Sequence, residues 1–416
     1  MKSELLQQVR VIDPASHTDR IADVLIADGA IQTIKEQVCD YSPDTQIRDC
    51  RGLVLAPGLV DLYSHSGEPG FEERETWRSL VASATSGGFT RLHILPDTLP
   101  PAENVSVLTR LQQQVEAESI KIQFWAALTT NTGQQMTELA ELASADIVGF
   151  SDGQPIANLA LLRRLLEYLK PLNKPVALWA CDRQLAGNGV MREGNASIRY
   201  GLPGNPAVSE SSSLAAILEV VAAVGTPVHI MRVSTARSVE LIQSAKNQGL
   251  PLTASTTWMH LLLDTNAVKS YDSNLRLEPP LGNAADVKAL REGVRSGVID
   301  AIAIDHTPYT YEEKTVAFAE APAGAIGLEL ALPLLWQHLV ATGEWSAVEL
   351  LHSLSNRPAQ CLQQNPSTIA PGKPPEMILF DPQQTWTVEP QTLKSLSFNT
   401  PWLRQELTGR VVQTWL

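Results

Sequence analysis

Between about Pro57 and Leu362 the chain alternates short apolar runs with stretches whose apolar positions return at helical spacing. The runs read as strands at Leu59 to Leu62, Arg91 to Leu95, Gln123 to Ala127, Ile147 to Phe150, Val176 to Trp179, Val228 to Val233, Leu252 to Ser255 and Ala301 to Ile304. Amphipathic helices are predicted between them, among them Trp77 to Ser86, Leu161 to Tyr168, Ser211 to Val224, Ala236 to Gln248 and Asp286 to Ser296. Eight strand-then-helix units over about 300 residues suit an α/β fold of the closed (β/α)8 barrel type, whose chemistry sits at the C-terminal strand ends. A doubly wound open sheet is the rival, but no Gly-rich phosphate loop follows the first strand.

The two ends follow a different pattern. Val9 to Ile12, Val24 to Ile26 and Ile31 are β-rich and separated by Asp13-Pro14 and Asp28-Gly29 turns. Met377 to Phe380, Trp386 to Val388 and Arg410 to Leu416 look alike. The expectation is one small β-sandwich domain assembled from residues 1–55 and 363–416 around a barrel at 56–362.

The 416 residues, 44% of them hydrophobic and 19% charged, describe a globular chain rather than a disordered or fibrous one. The 32 Lys and Arg against 45 Asp and Glu leave a net charge of −13, which disfavours nucleic-acid and anionic-membrane partners. Four scattered cysteines form no C-x-x-C pair, and neither an export signal nor a membrane span is legible, so a cytoplasmic protein is expected.

Reading past the strand ends locates candidate chemistry. The first strand runs into Asp61-Leu62-Tyr63-Ser64-His65-Ser66-Gly67-Glu68-Pro69-Gly70, flanked by Ala56-Pro57-Gly58 and Gly87-Gly88-Phe89-Thr90. Further along stand Phe150-Ser151-Asp152-Gly153, Gly201-Leu202-Pro203-Gly204, His229-Ile230-Met231-Arg232-Val233-Ser234-Thr235, Pro279-Pro280-Leu281, Asp300 to His306, and Ala321-Pro322-Ala323-Gly324. Together and in this order, these segments resemble the dihydroorotases of the amidohydrolase superfamily over nearly the whole chain. The resemblance implies an amidohydrolase-type barrel and, in active members, one or two zinc ions that polarise a cyclic amide, with an aspartate as proton shuttle.

The family positions are then compared residue by residue. Of two alternate metal histidines on the first strand the chain has Tyr63, a poor ligand, and His65, a sound one. Two further family histidines fall on Trp179, whose indole has no lone pair to offer, and Arg232, a permanent cation. Asp152 is either a ligand or a turn residue. Asp305, the shuttle position, is retained, and His306, Ala321 and Gly324 match substrate-binding positions. The family's carboxylate-binding arginine is Gly67, and two asparagines are Asp97 and Glu278, which suggests an acidic pocket of the wrong sign for a dianionic substrate.

The remnant metal positions are therefore His65, Asp152 and Asp305, and the substituted ones Tyr63, Trp179 and Arg232. Stripped of metal, Asp61, Asp152 and Asp305 would be uncompensated acids; Arg232 is expected either to pair with Asp305 or Asp152, with Trp179 and Tyr63 filling the vacated volume, or to turn out to solvent. His229 lies an odd number of steps before Arg232 and is not promoted to a ligand. Cys181 has no visible base partner, and Glu312-Glu313-Lys314 read as a solvated helix start.

The resemblance extends to inactive dihydroorotase-like chains that assemble with aspartate carbamoyltransferase. It implies a non-catalytic partner in pyrimidine biosynthesis, without a bound cofactor and forming a homo-oligomer. Two other readings stay open. One is an active cyclic-amide hydrolase with a mononuclear zinc site of His65, Asp152 and Asp305; the other is a small-molecule binding protein that uses the emptied pocket.

Overall fold

The structure, a computed structural model, describes residues 3–130 and 133–416. Among these, eight parallel strands form a barrel: β1 (Leu59–Val60), β2 (Phe89–Ile94), β3 (Lys121–Ala126), β4 (Gly149–Phe150), β5 (Ala177–Trp179), β6 (Val228–Met231), β7 (Leu252–Thr257) and β8 (Ala301–Ala303). Pairing runs in chain order, and a Phe150 to Val176 bridge joins the two four-stranded arcs. The ring closes beyond the ends of β8 and β1. There Asp305 N–H donates to Tyr63 O at 3.2 Å, His65 N–H donates to His306 O at 2.9 Å, and the buried Asp61 carboxylate accepts from Ile304 N–H at 2.8 Å.

Helices follow the strands much as their periodicity predicts, and side-chain caps set their starts. Trp77–Gly87 begins at Thr76, whose hydroxyl accepts from Ser79 N–H, and stops at Gly88, where φ of 86° suits glycine. Val105–Val115, capped by Asn104, adds a helix between β2 and β3.

Strands from both ends make one seven-stranded sheet: Glu4–Asp13, Thr18–Ala27, Ala30–Lys35, Gln46–Asp49, Val54–Pro57, Met377–Thr387 and Glu406–Trp415. Glu4–Asp13 pairs in parallel with both Gln46–Asp49 and Val54–Pro57, so the sheet branches there. Val54–Pro57 in turn pairs antiparallel with Met377–Thr387, which joins the two ends of the chain.

Side-chain alternation divides this sheet between two cores. Ile12, Val54, Ala56, Ile378 and Phe380 join the large core around the barrel helices, whereas Val11, Leu55, Met377 and Leu379 join a smaller one with Trp415. Burial on both faces explains why apolar residues stand side by side in Val11-Ile12 and Met377 to Phe380 rather than alternating with polar ones.

Gly87 lies where the first barrel helix meets the backbone at Leu328, and an added Cβ would overlap the Leu328 carbonyl. Gly87→Ala is expected to cost about 1–3 kcal/mol through overpacking, measured as a lowered urea midpoint with unchanged slope.

Candidate functional site

The C-terminal strand ends surround a cleft of about 230 Å3, lined by residues from the β1, β2, β4, β5, β6, β7 and β8 ends. At its base Arg232, buried just after β6, makes a two-pronged pair with Asp305, just after β8: Nε to Oδ2 at 2.8 Å and Nη2 to Oδ1 at 2.6 Å. Nη1 donates to Gly153 O at 2.9 Å. Trp179 and Tyr63 stand with their ring centres 5.0 and 5.6 Å from the guanidinium carbon, so π faces surround the cation. Burial alone would favour a neutral Asp305, but Arg232 and His65 hold its carboxyl well below the usual carboxylate range.

Both members of this pair have left-handed backbones, with φ of 55° at Arg232 and 53° at Asp305. Such a conformation costs a non-glycine residue about 1–2 kcal/mol, and here it breaks strand alternation and turns Arg232 into the mouth. The parity argument for His229 therefore does not apply. His229 lies deeper on the inner face, with Nε2 2.8 Å from Ser255 Oγ and Nδ1 2.8 Å from Thr253 Oγ1. Burial lowers it to about 3, so its ring is neutral. Ser255 Oγ also lies 3.0 Å from Tyr63 Oη, which accepts from Arg232 N–H at 3.1 Å.

His65 reaches the other side of the pair. Nδ1 is 2.5 Å from Asp97 Oδ2, and Nε2 lies 3.1 Å from Arg232 Nη2 and 3.5 Å from Asp305 Oδ1. Burial favours the neutral ring, but the Asp97 and Asp305 carboxylates outweigh it and push His65 up to about 9. At neutral pH it is an imidazolium that shares Asp305 with Arg232. These four groups then carry two positive and two negative charges.

The expected acidic pocket is corrected by this pairing. Glu278 is bonded to Arg183, which also donates to Gln154 Oε1 at 2.8 Å and stacks over Trp179. Glu313 accepts from Arg74 Nε at 3.0 Å, and Arg74 lies over the Phe71 ring at 4.0 Å. The acids named from sequence in the cleft thus each face a cation.

Other expected site residues are placed elsewhere. The Asp152 carboxylate accepts from Leu128 N–H at 2.7 Å, Thr129 N–H at 3.0 Å and Thr129 Oγ1 at 2.7 Å, so it braces the β3 loop and does not line the cleft. His306 is wholly buried: Nδ1 accepts from Gly327 N–H at 3.2 Å and Nε2 faces Glu75 Oε2 at 3.4 Å, which removes it from substrate reach. Ala321 is also buried outside the lining, whereas Gly324 is part of it.

Asp61 belongs to the barrel seam, and burial raises it to about 7. Burial pushes the Cys181 thiol up to about 11, the wrong direction for a nucleophile. Lys314, expected to be solvated, is buried and donates to Ser273 O at 3.0 Å and Pro322 O at 2.7 Å. Sequence reasoning missed Arg74, Tyr309 and His260 as lining residues, and Arg183 as the partner of the lining residues Glu278 and Trp179. The one available signal was Arg183 falling four residues after the end of β5.

A family model described as dihydro-orotase-like matches residues 52–238. A probable dihydroorotase-like protein of Synechocystis sp. is 44% identical over 99% of both chains. The chain belongs to the dihydroorotase-like family. A dihydroorotase of Syntrophus aciditrophicus is 37% identical, covering 99% of this chain and 97% of that protein. Among solved structures, the L-hydantoinase (dihydropyrimidinase) of Arthrobacter aurescens superposes with a TM-score of 0.85 over 99% of this chain and 94% of its own, at 21% identity. That likeness supports the (β/α)8 barrel with its β-rich terminal sheet as the fold of this dihydroorotase-like chain. No helix among the described residues is long and apolar enough to cross a membrane.

Two outcomes test this geometry. Arg232→Met removes the two-pronged partner of the largely buried Asp305 and leaves it only His65, at 3.5 Å, so it is expected to cost about 3 kcal/mol, with Arg232→Met/Asp305→Asn recovering much of it in a double-mutant unfolding cycle. Because folding raises His65 above its ordinary value near 6.5, its contribution is fully present below that value and is lost as pH rises through about 9. The stability decline between about pH 6.5 and 9 should flatten in His65→Asn, as followed by urea unfolding at successive pH values.

Proposed function

We propose that this dihydroorotase-like chain takes part in pyrimidine biosynthesis without catalysing dihydroorotate hydrolysis, as a structural or regulatory partner of aspartate carbamoyltransferase. The observation that carries the catalytic half of this reading is the two-pronged Arg232–Asp305 pair. Zinc needs several convergent lone-pair donors, and these residues do not fit it. Asp305 is engaged by a guanidinium, His65 Nε2 faces that same cation, and Asp152 has turned to backbone and hydroxyl donors. Among the described residues no group of three or more His, Cys, Asp or Glu side chains is arranged to hold a metal ion.

Asp305 is equally unsuited to proton shuttling, since its bond to Arg232 favours the ionised form at every neutral pH. The partner half rests on resemblance to inactive chains that assemble with aspartate carbamoyltransferase.

The relatives named dihydroorotase support a second reading, an active enzyme with an atypical mononuclear site of His65, Asp152 and Asp305. One experiment separates the two: zinc content after chelator-free purification, with complementation of a strain lacking dihydroorotase. We expect zinc far below one ion per chain and no growth; stoichiometric zinc with growth would establish the second reading. Co-purification of tagged chain with aspartate carbamoyltransferase from the native host is expected, and its failure would remove the partnership.

A further inference from the structure

A second cavity of about 370 Å3 lies beside the barrel mouth, between the 191–200 segment and the start of helix Ala284–Ser296. Its lining includes Arg192, which follows Met191 in a two-residue parallel pairing with Gly204–Asn205. Arg192 is only 3% exposed, yet its guanidinium is not fully satisfied. Nη2 donates to Ser234 Oγ at 2.7 Å and Pro280 O at 3.4 Å, while the buried Nε has no hydrogen-bond partner. Nε is closed off from the cavity, but Nη1 also makes no hydrogen bond among the described residues, and a buried arginine with unmade donors in a cavity wall points to an acceptor that the protein alone does not supply.

The nearest carboxylate does not supply it. Glu210 lies 4.0 Å from Arg192 Nη2, and its oxygens accept from the backbone N–H groups of Ser234 and Thr235 at 3.0 and 3.1 Å and from both hydroxyls.

Two further features favour a negative occupant. Arg199, exposed at the rim, forms no ion pair among the described residues. Asn283 and Ala284 bring the start of a 13-residue helix to the wall, where Asn283 Oδ1 already accepts from Ala285 N–H and Asp286 N–H, so the helix adds a field rather than free donors. Three carboxylates oppose such an occupant: Glu193, solvated on the rim, Asp286, buried in the first turn of that helix and bonded to backbone N–H groups, and Glu210, whose oxygens are taken up by Ser234 and Thr235.

We propose that this cavity is an anion-binding site, separate from the barrel cleft, that takes a small phosphate- or carboxylate-bearing ligand with an oxygen placed on Arg192. It stands whether or not the barrel cleft is catalytic. Arg192 supplies a fixed, desolvated donor, and Arg199 supplies attraction from the rim.

The test is calorimetric titration of the full chain with inorganic phosphate and, separately, succinate, at constant ionic strength. Saturable binding of either is expected below about 10 mM. Binding of phosphate alone assigns a phosphorylated ligand, and binding of succinate alone a carboxylate. Arg192→Gln should weaken that binding about tenfold or more, and Arg199→Gln a few-fold, while Arg74→Gln in the barrel cleft leaves it unchanged. If Arg192→Gln loses its native circular dichroism, the exposed Arg199→Gln decides. No saturable binding of either anion, or binding that Arg74→Gln removes and Arg192→Gln or Arg199→Gln does not, would overturn the proposal.

Discussion

The mouth of the barrel depends on one buried ion pair. Arg232 and Asp305 follow strands β6 and β8, and each is attached to Tyr63, just beyond β1: Tyr63 Oη accepts from Arg232 N–H, and Asp305 N–H donates to Tyr63 O. Barrel closure, the two left-handed backbones and charge compensation are thus parts of one local structure. A buried pair of this kind is weak evidence for extra stability, because desolvation offsets most of the attraction. Its consequence is obligation: loss of one partner alone leaves the other a buried charge that His65 and the Gly153 carbonyl offset only in part.

The same logic extends outward. Asp97 with His65, Glu278 with Arg183, and Glu313 with Arg74 repeat the pairing of acid and cation around the cleft. A ligand carrying two carboxylates would meet cations whose hydrogen bonds are already made to protein acids, and it would have to break those pairs to bind. Local neutrality, rather than the bulk charge of −13, therefore sets what such a cleft can accept. Specificity of this kind is written in pairings, and a count of acidic residues misses it.

The barrel was legible because its signal is periodic: each of the eight strands falls within or beside an apolar run, and the two-core sheet accounts for the unbroken apolar stretches at both ends. The resemblance located the substituted positions Tyr63, Trp179 and Arg232. Orientation was not legible. Asp152 differs from a ligand only in where three donors from the Leu128–Thr129 loop lie, and His306 only in the burial imposed by Gly327 and Glu75. Alternation failed at Arg232 because a single positive φ reverses it, which no spacing rule registers. Arg74 and Arg183 were missed for a similar reason: their partners are more than ninety residues away in sequence.

The terminal sheet has a consequence for how the chain is made. Glu4–Asp13 and Val54–Pro57 leave the ribosome more than three hundred residues before the strand that covers Val54–Pro57, which begins at Met377, and that strand's own partner ends at Trp415. Throughout synthesis the open edge of Val54–Pro57 and the apolar side chains of Ile12, Val54 and Ala56 await partners not yet translated. The strands Met377–Thr387 and Glu406–Trp415 therefore act as a clasp. A ribosome that stalls before them releases a barrel with an exposed strand edge, which is the form of this chain most exposed to aggregation and to quality-control proteases.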